Sequence, residues 1–215
     1  NDEDKKLAEA MVSLLTPVVK SFLTDTALES TIAGQQVFGG HGFIREWGQE
    51  QHVRDVRITQ IYEGTNGIQS LDLIGRKIAA NGGAFFKLYV EEINTFIAAQ
   101  EGNAKMAEFI NPLKAAVANL ADLTEWVMDK AQGDANEIGA SSVEFLQVFG
   151  YTSFAYMFAM SSVVALEKEG SEPFYANKLA TARFFTKRLL PRYISLTESV
   201  KGGAECLFEM EADQF

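Results

Sequence analysis

The residues best suited to chemistry lie at positions 60–68, which read Gln-Ile-Tyr-Glu-Gly-Thr-Asn-Gly-Ile. Glu63 is a lone carboxylate that follows two apolar residues and precedes Gly64. A carboxylate that apolar neighbours shield from water accepts a proton more readily, as a general base must do near neutral pH. Gly64 removes a side chain where a substrate could come close. The segment is therefore a candidate site for proton abstraction.

Thr65 and Asn66 are residue types that commonly begin a helix. Because the first backbone N–H groups of a helix have no partner within it, they are free to bind an anion such as a phosphate. A simpler interpretation stays open, in which this segment is only a capped helix start and Glu63 supports it.

A second candidate site lies at residues 35–45, which read Gln-Gln-Val-Phe-Gly-Gly-His-Gly-Phe-Ile-Arg. Three glycines in four positions end a helical pattern, and Gly39 or Gly40 can adopt the left-handed conformation that terminates a helix. No strand precedes these glycines and no helix opens on them, so they are not a Rossmann fingerprint. We expect a helix end followed by a bare-backbone loop, which could accept a flat or phosphorylated ligand at close range.

The charged and imidazole side chains nearby have less specific spacing. Arg54, Asp55 and Arg57 form a cluster that we expect to brace the neighbouring loop, with direct substrate contact as the alternative. His41 and His52 lack the paired His or Cys spacing of a metal site, so the sequence predicts no bound metal. We expect His41 to form a hydrogen bond within the glycine loop.

Three motifs together resemble the C-terminal helical domain of the acyl-CoA dehydrogenases: Gln36-x-x-Gly39-Gly40-x-Gly42, then Arg54-Asp55, then Tyr62-Glu63-Gly64-Thr65-Asn66. Their order and spacing match across roughly residues 16–80. Residues 173–185 carry a second, less diagnostic resemblance, to the extra C-terminal helical domain of a larger-subunit branch. That branch includes the 3-methylmercaptopropionyl-CoA dehydrogenase-like members.

The resemblance implies a role for each motif. Glu63 matches the base that removes the α proton of an acyl-CoA thioester, and Gly64 matches the contact with the thioester region. One stretch matches residues that reach the adenosine-diphosphate part of FAD on a neighbouring subunit: Gln36, Val37, Phe38, Gly39 and Gly40. Another matches residues near the flavin's own pyrophosphate and adenosine: Thr65, Asn66 and Gly67. Gly67 replaces a glutamine common in the family, so the chain departs from the pattern there.

The reaction that the resemblance implies is α,β-dehydrogenation of an acyl-CoA in fatty acid metabolism, with FAD as cofactor. It also implies a homo-oligomer and an electron-transfer flavoprotein as electron acceptor. The chain opens at Asn1 without the family's N-terminal helical domain or middle β-domain. We therefore expect a C-terminal fragment of a longer enzyme, inactive alone. A second hypothesis makes the chain a non-catalytic helical assembly module that packs subunits together.

The composition excludes several classes of partner and compartment. The chain has 215 residues with 47% hydrophobic content, enough for one large domain or two small ones. A net charge of −10 argues against nucleic acid as a partner. The single cysteine, Cys206, excludes an intrachain disulfide and fits a reducing compartment. We find no signal segment and no uninterrupted apolar run of about 18 residues, and we expect a soluble, cytoplasmic protein without a membrane span.

Apolar residues recur at helical spacing throughout, so the sequence predicts an all-α fold. Thr16-Pro17 predicts the start of a helix that stops at Gly39-Gly40. Other predicted helices cover 49–57, 65–80, 84–99, 104–132, 136–168, 173–190 and 192–202. We place the inner face of the 65–80 helix at Ile68, Leu71, Ile74, Gly75 and Ile78. Asn81-Gly82-Gly83 divides the chain into a partial dehydrogenase domain, 1–81, and an additional helical domain, 82–215.

Overall fold

The computed structural model describes residues 2–79 and 82–214, and these ranges contain helices and no strand. The predicted all-α fold is confirmed. The α-helices are α1 Asp2–Val37, α2 Gly40–Phe43, α3 Gln49–Arg57, α4 Asn66–Leu71, α5 Ala84–Gln100, α6 Ala107–Gly133, α7 Asn136–Glu167, α8 Pro173–Phe184 and α9 Arg192–Lys201. Helix α4 continues as a π-helix, Asp72–Ile78, and α8 continues as a second π-helix, Phe185–Leu189. Short 3₁₀ turns connect several of them, including Arg45–Trp47 and Ile58–Gln60.

Helix α1 runs through Pro17 without a break, so the predicted helix start at Thr16-Pro17 is wrong. A proline inside a helix removes one backbone hydrogen bond and crowds the preceding turn. Here Pro17 is buried within a continuous stripe that runs from Leu14 to Phe22. The Thr16 hydroxyl also donates to the Val12 carbonyl at 2.6 Å. Burial on both sides of the proline therefore outweighs its local preference to begin a helix. The predicted stop near Gly39 is confirmed.

Helix α7 lies at the centre of one continuous core. Phe145 and Phe149 of α7 are fully buried, and the same core includes Phe22 of α1 and Ile74 beyond α4. A Cβ at Gly150 would lie 2.3 Å from the Phe22 ring, so this glycine allows α1 to approach α7 closely. The site elements α1 and α4 therefore pack directly on the helix that organises the rest of the chain.

The helix formed by α4 and the following π-helix buries a face that differs in part from the predicted one. Ile74 and Ile78 are buried as predicted, but Ile68 and Leu71 are 55% and 42% exposed, and Leu73 is buried instead. Ile68 and Leu71 lie in α4, before the π-helix, and the buried residues Ser70, Leu73, Ile74 and Ile78 recur at intervals of three and four along a neighbouring face. The inner face predicted for α-helical spacing is therefore correct at its end and wrong at its start.

Two glycines close the connection between the π-helix and α5. Gly82 and Gly83 have φ of 63° and 75°, and the Gly83 N–H donates to the Ile78 carbonyl at 2.9 Å. Left-handed glycines of this kind end helices. Asn81, the first residue of the predicted boundary, lies outside the described residues, and the division into domains 1–81 and 82–215 stays a prediction.

Within the described ranges, α1 and α7 have the length and apolar composition that a membrane span needs. Half of the qualifying window of α7 is buried against other helices. A core helix of a globular protein meets the same criterion by composition alone, so neither helix is assigned to a membrane.

Candidate functional site

Glu63 and Gly64 form a left-handed turn just before α4. Glu63 has φ of 52° and is the one non-glycine residue with positive φ among those the structure describes, and Gly64 has φ of 84°. A Cβ at Gly64 would lie 2.8 Å from Nε2 of Gln69. That same amide donates to the Glu63 carbonyl at 3.2 Å. The turn therefore needs glycine at position 64 both for its backbone angles and for this hydrogen bond.

The side chain of Glu63 is exposed in this chain. The sequence predicted an apolar setting that shields the carboxylate, but Ile61 and Tyr62 are themselves 47% and 49% exposed. They cannot exclude water from Glu63, so the predicted desolvation is wrong for this chain. An apolar enclosure of the carboxylate would have to come from atoms outside it.

Thr65 and Asn66 begin α4, as the sequence predicted, but neither works as a simple cap. Thr65 occupies the N-cap position without a side-chain hydrogen bond to the helix. Asn66 turns its amide towards α1, where Nδ2 donates to Thr24 Oγ1 at 2.9 Å and Oδ1 accepts from Lys20 Nζ at 2.7 Å. The Asn66 side chain thus anchors the start of α4 to α1.

The Asp25 carboxylate on α1 accepts hydrogen bonds from three side-chain amides, an arrangement that was not predicted from the sequence. Asp25 Oδ1 accepts from Gln60 Nε2 at 2.6 Å and from Asn66 Nδ2 at 2.6 Å. Its other oxygen, Oδ2, accepts from Gln147 Nε2 of α7 at 2.8 Å. One sequence signal could have indicated it: an acidic residue one helical turn after Phe22, on the buried stripe of α1.

The glycine loop begins directly after α1, but the short helix α2 opens at Gly40, so the prediction that no helix opens on these glycines is wrong. The predicted stretch 36–40 is exposed throughout, and Gly39 has φ of 59°. A Cβ at Gly39 or Gly40 would meet no atom within 4 Å. No neighbouring atom occupies the space beside these two glycines, and the binding of a flat or phosphorylated group there stays a prediction.

Gly42 has a different part in the same loop. It is buried, and a Cβ there would lie 2.3 Å from the Gln35 carbonyl oxygen. The Gln35 side chain also donates to the Gly42 carbonyl at 3.1 Å. Gly42 therefore lets the loop fold back onto the end of α1.

The charged and imidazole residues of the segment 41–60 contact other residues of the same segment. Arg57 donates to Gln60 Oε1 at 2.7 Å, so it braces the turn that precedes Glu63, as predicted. Asp55 accepts from Gln51 at 2.7 Å, one turn earlier on α3. The His41 ring packs edge-on against Trp47, with ring centres 4.9 Å apart. Its predicted side-chain hydrogen bond has no counterpart in the described part of the chain.

The structure keeps the two candidate cofactor stretches apart. Asn66 is anchored near Asp25, whereas the glycine loop follows the end of α1 at Val37. From Asp25 to Val37 the helix α1 rises about 18 Å along its axis, at 1.5 Å per residue. The two stretches therefore do not form one pocket, which is consistent with contacts to two different ligand molecules.

Comparisons with known proteins identify the family to which both segments of the chain are similar. A family model described as "Acetyl-CoA dehydrogenase C-terminal like" matches residues 89–211, and "Acyl-CoA dehydrogenase, C-terminal domain" matches residues 4–79. The 3-methylmercaptopropionyl-CoA dehydrogenase of Ruegeria pomeroyi is 36% identical over 197 residues, which cover 88% of this chain and 33% of that protein. The broad-specificity linear acyl-CoA dehydrogenase FadE5 of Mycobacterium tuberculosis is 30% identical over 225 residues, 99% of this chain and 37% of that protein.

A butyryl-CoA dehydrogenase of Syntrophomonas wolfei is 28% identical over 208 residues, 93% of this chain and 34% of that protein. The chain thus spans about a third of the length of these relatives. Both family models describe C-terminal dehydrogenase segments, and together they cover most of the chain. The chain belongs to the acyl-CoA dehydrogenase family.

Proposed function

We propose that this chain supplies the catalytic base, Glu63, to a FAD-dependent acyl-CoA dehydrogenase. The observation that carries the proposal is the left-handed turn at Glu63 and Gly64, which holds an exposed carboxylate beside a residue without a side chain. A non-glycine residue in this conformation costs about 1–3 kcal/mol unless its surroundings stabilise it, and such strain concentrates at functional sites. Family membership supports the same assignment.

The reaction divides between the base and the cofactor. A Glu63 carboxylate oxygen takes the proton from the α carbon of the acyl-CoA, and the C–H electron pair moves into the new α,β double bond. FAD, when bound, accepts the hydride that leaves the β carbon. The absent side chain at Gly64 lets the thioester approach the turn. Glu63 releases its proton to solvent once the enoyl-CoA product has left.

The cofactor contacts fit the open backbone of two regions. Residues 36–40 would lie against the adenosine-diphosphate part of FAD on a neighbouring subunit, since no side chain or neighbouring atom fills the space at Gly39 and Gly40. The backbone at Thr65, Asn66 and Gly67 would lie near the subunit's own FAD, and a Cβ at Gly67 also meets open space. The Asn66 amide itself is engaged by α1.

A substitution at Glu63 tests the proposal. In the complete enzyme that contains this chain, Glu63→Gln should reduce the rate of flavin reduction by acyl-CoA about 10²–10⁴-fold while FAD stays bound. Glutamine keeps the size of the side chain but cannot take a proton. Glu46→Gln is the matched control, because Glu46 is an exposed glutamate in the same segment. Anaerobic stopped-flow absorbance measures both, and a near wild-type rate for Glu63→Gln would show that the base lies elsewhere.

The alternative function, a non-catalytic assembly module, is favoured by one observation. Large apolar side chains before residue 79 lie in solvent, among them Val12, Val19, Val37, Phe43, Trp47, Ile58 and Ile68. Exposed apolar surface of this extent is typical of surfaces that other subunits or domains cover. The two functions are compatible, since the parent enzyme would catalyse while this segment alone, with half of its cofactor surface in water, stays inactive.

A further inference from the structure

We infer that Asp25 and Gln147 are positioning residues, through which the second helical segment holds the turn that carries Glu63. This inference rests on the proposed role of Glu63 as the base. We call the set Asp25, Gln60, Asn66 and Gln147 the Asp25 hub. Its members come from α1, from both ends of the Glu63 loop and from α7.

The hub holds the Glu63 loop at both ends. Gln60 lies three residues before Glu63 and Asn66 three residues after it. Both amides donate to the same oxygen, Asp25 Oδ1, at 2.6 Å. The intervening residues make no comparable side-chain bond to α1 in the part of the chain that the structure describes. The Gln60 end of the loop therefore depends on the position of this carboxylate oxygen, whereas the Asn66 end is also held by Lys20 and Thr24 of α1.

Gln147 controls the orientation of that carboxylate. It donates to the other oxygen, Asp25 Oδ2, at 2.8 Å. Without this bond the carboxylate can rotate about its last torsion, because only Oδ1 would be held. Rotation would move the shared acceptor and release the Gln60 end of the loop, while Asn66 would keep its bonds to Lys20 and Thr24. A residue on α7, far along the chain from Glu63, thereby positions it.

Amide groups alone satisfy the charge of Asp25. Among the described residues, no Lys or Arg forms an ion pair with it, and Lys20 reaches Asn66 Oδ1 instead. Hydrogen bonds to a carboxylate are stronger and more directional than those between neutral groups. All four hub residues are half-buried, so water competes with them only in part. Removing one donor therefore loosens an arrangement that has no ion pair to replace it.

The first test removes the α7 donor in the complete enzyme. Gln147→Met keeps the length of the side chain and loses the donor. We expect flavin reduction by acyl-CoA to slow roughly 10-fold, because small misplacements of a catalytic group are costly. FAD content should stay at the wild-type level. Gln51→Met is the matched control, since it removes an amide bond to a carboxylate at 2.7 Å outside the hub.

The second test restores the bond with its direction reversed. Asp25→Asn alone replaces a charged acceptor by an amide that faces the Gln147 donor, so it should slow flavin reduction. The double variant Asp25→Asn/Gln147→Glu lets position 25 donate to position 147 while its remaining oxygen still accepts from Gln60 and Asn66. We expect the double variant to be faster than either single variant. If the rate losses of the two single variants simply multiply in the double variant, the inference is overturned.

A readout independent of catalysis separates this inference from the proposed function. Backbone amides at 58–66 should exchange with deuterium at least several-fold faster in Gln147→Met than in wild type or Gln51→Met. Unchanged exchange there would overturn the inference whatever Glu63 does. Faster exchange with unchanged flavin reduction would overturn the positioning role. If Glu63→Gln alone retains the wild-type rate, the proposed function fails, and the exchange result still decides whether the hub holds the loop.

Discussion

At the scale of single residues, the turn at Glu63 and Gly64 combines strain with anchoring. Gln69 donates to the Glu63 carbonyl, and Asn66 binds α1 directly after the turn. The sequence could predict the turn and the helix start, because glycine, threonine and asparagine are local signals. The place of Asp25 next to the buried stripe of α1 indicates a partly buried carboxylate, but the sequence could not predict its partner Gln147, which lies 122 positions away.

Gly64→Ala should destabilise this segment. Alanine at φ of 84° is strained, and its Cβ would displace the Gln69 amide that supports the turn. We expect a loss of about 1–2 kcal/mol in the free energy of unfolding. The measurement is urea unfolding followed by circular dichroism. Gly67→Ala, a helical position with open space around the Cβ, is the control and should not be destabilised. Equal stability of the two variants would contradict the strained turn.

At the scale of elements, the helices follow the apolar pattern closely. The predicted limits of α3 and of α5 to α9 agree with the structure to within three residues, once the π-helix after α8 is included. Pro17 and the π-helix after α4 escaped prediction, because tertiary packing decides both. Pro17 stays helical within a buried stripe, and Leu73 is buried in place of Leu71 beside the π-helix.

Gly150→Ala tests the close contact of α1 and α7. The added methyl would meet the Phe22 ring at 2.3 Å, and Phe22 is confined by edge-on contacts with Tyr151 and Phe154. Overpacking costs about 1–3 kcal/mol, which outweighs a gain in helix propensity of up to about 1 kcal/mol. Gly139→Ala, on α7 with open space around it, should instead stabilise. Thermal unfolding compares them, and stabilisation by both substitutions would contradict the packing.

Two tyrosines between α5 and α7 should make stability depend on alkaline pH. Burial raises the pKa of Tyr89 to about 12, and burial with the nearby Glu92 carboxylate raises the pKa of Tyr156 to about 12. The unfolded chain ionises first, near the usual tyrosine value of about 10. The contribution of these two neutral tyrosines to the free energy of unfolding is therefore complete below pH 10 and is lost as pH rises towards 12.

The expected loss in the free energy of unfolding by pH 11 is about 1 kcal/mol for Tyr89 and less for Tyr156, because solvent screens part of its interaction with Glu92. Urea unfolding at pH 9 and pH 11 measures it. Tyr89→Phe should reduce the difference between the two pH values, because phenylalanine has no proton to lose. A Tyr89→Phe variant with the full wild-type difference would show that other groups cause the dependence.

At the scale of the whole molecule, two family segments share one core. Residues 4–79 and 89–211 match separate dehydrogenase models, yet α1 and the end of α4 pack on α7. The family could be recognised from the sequence because its motifs are short and local. The exposure of Glu63 could not, because it depends on how the helices around the turn pack.

The isolated chain should self-associate through its exposed apolar surface. Val37 and Phe43 are 86% and 80% exposed near the glycine loop. Burying apolar side chains of this kind contributes about 25 cal/mol per Å². Sedimentation velocity at tens of micromolar should show dimers or larger species. Phe43→Ser should shift the distribution towards monomer, and a monomeric wild-type chain would contradict the prediction.

The most direct test of the central claim follows the α proton itself. The complete enzyme is incubated anaerobically with acyl-CoA in D₂O, and mass spectrometry measures deuterium incorporated at the α carbon. If Glu63 is the base, wild type and Glu46→Gln should exchange this proton, and Glu63→Gln should be slower by about 10²–10⁴-fold with its FAD retained. Exchange by Glu63→Gln at near wild-type rate would contradict the account.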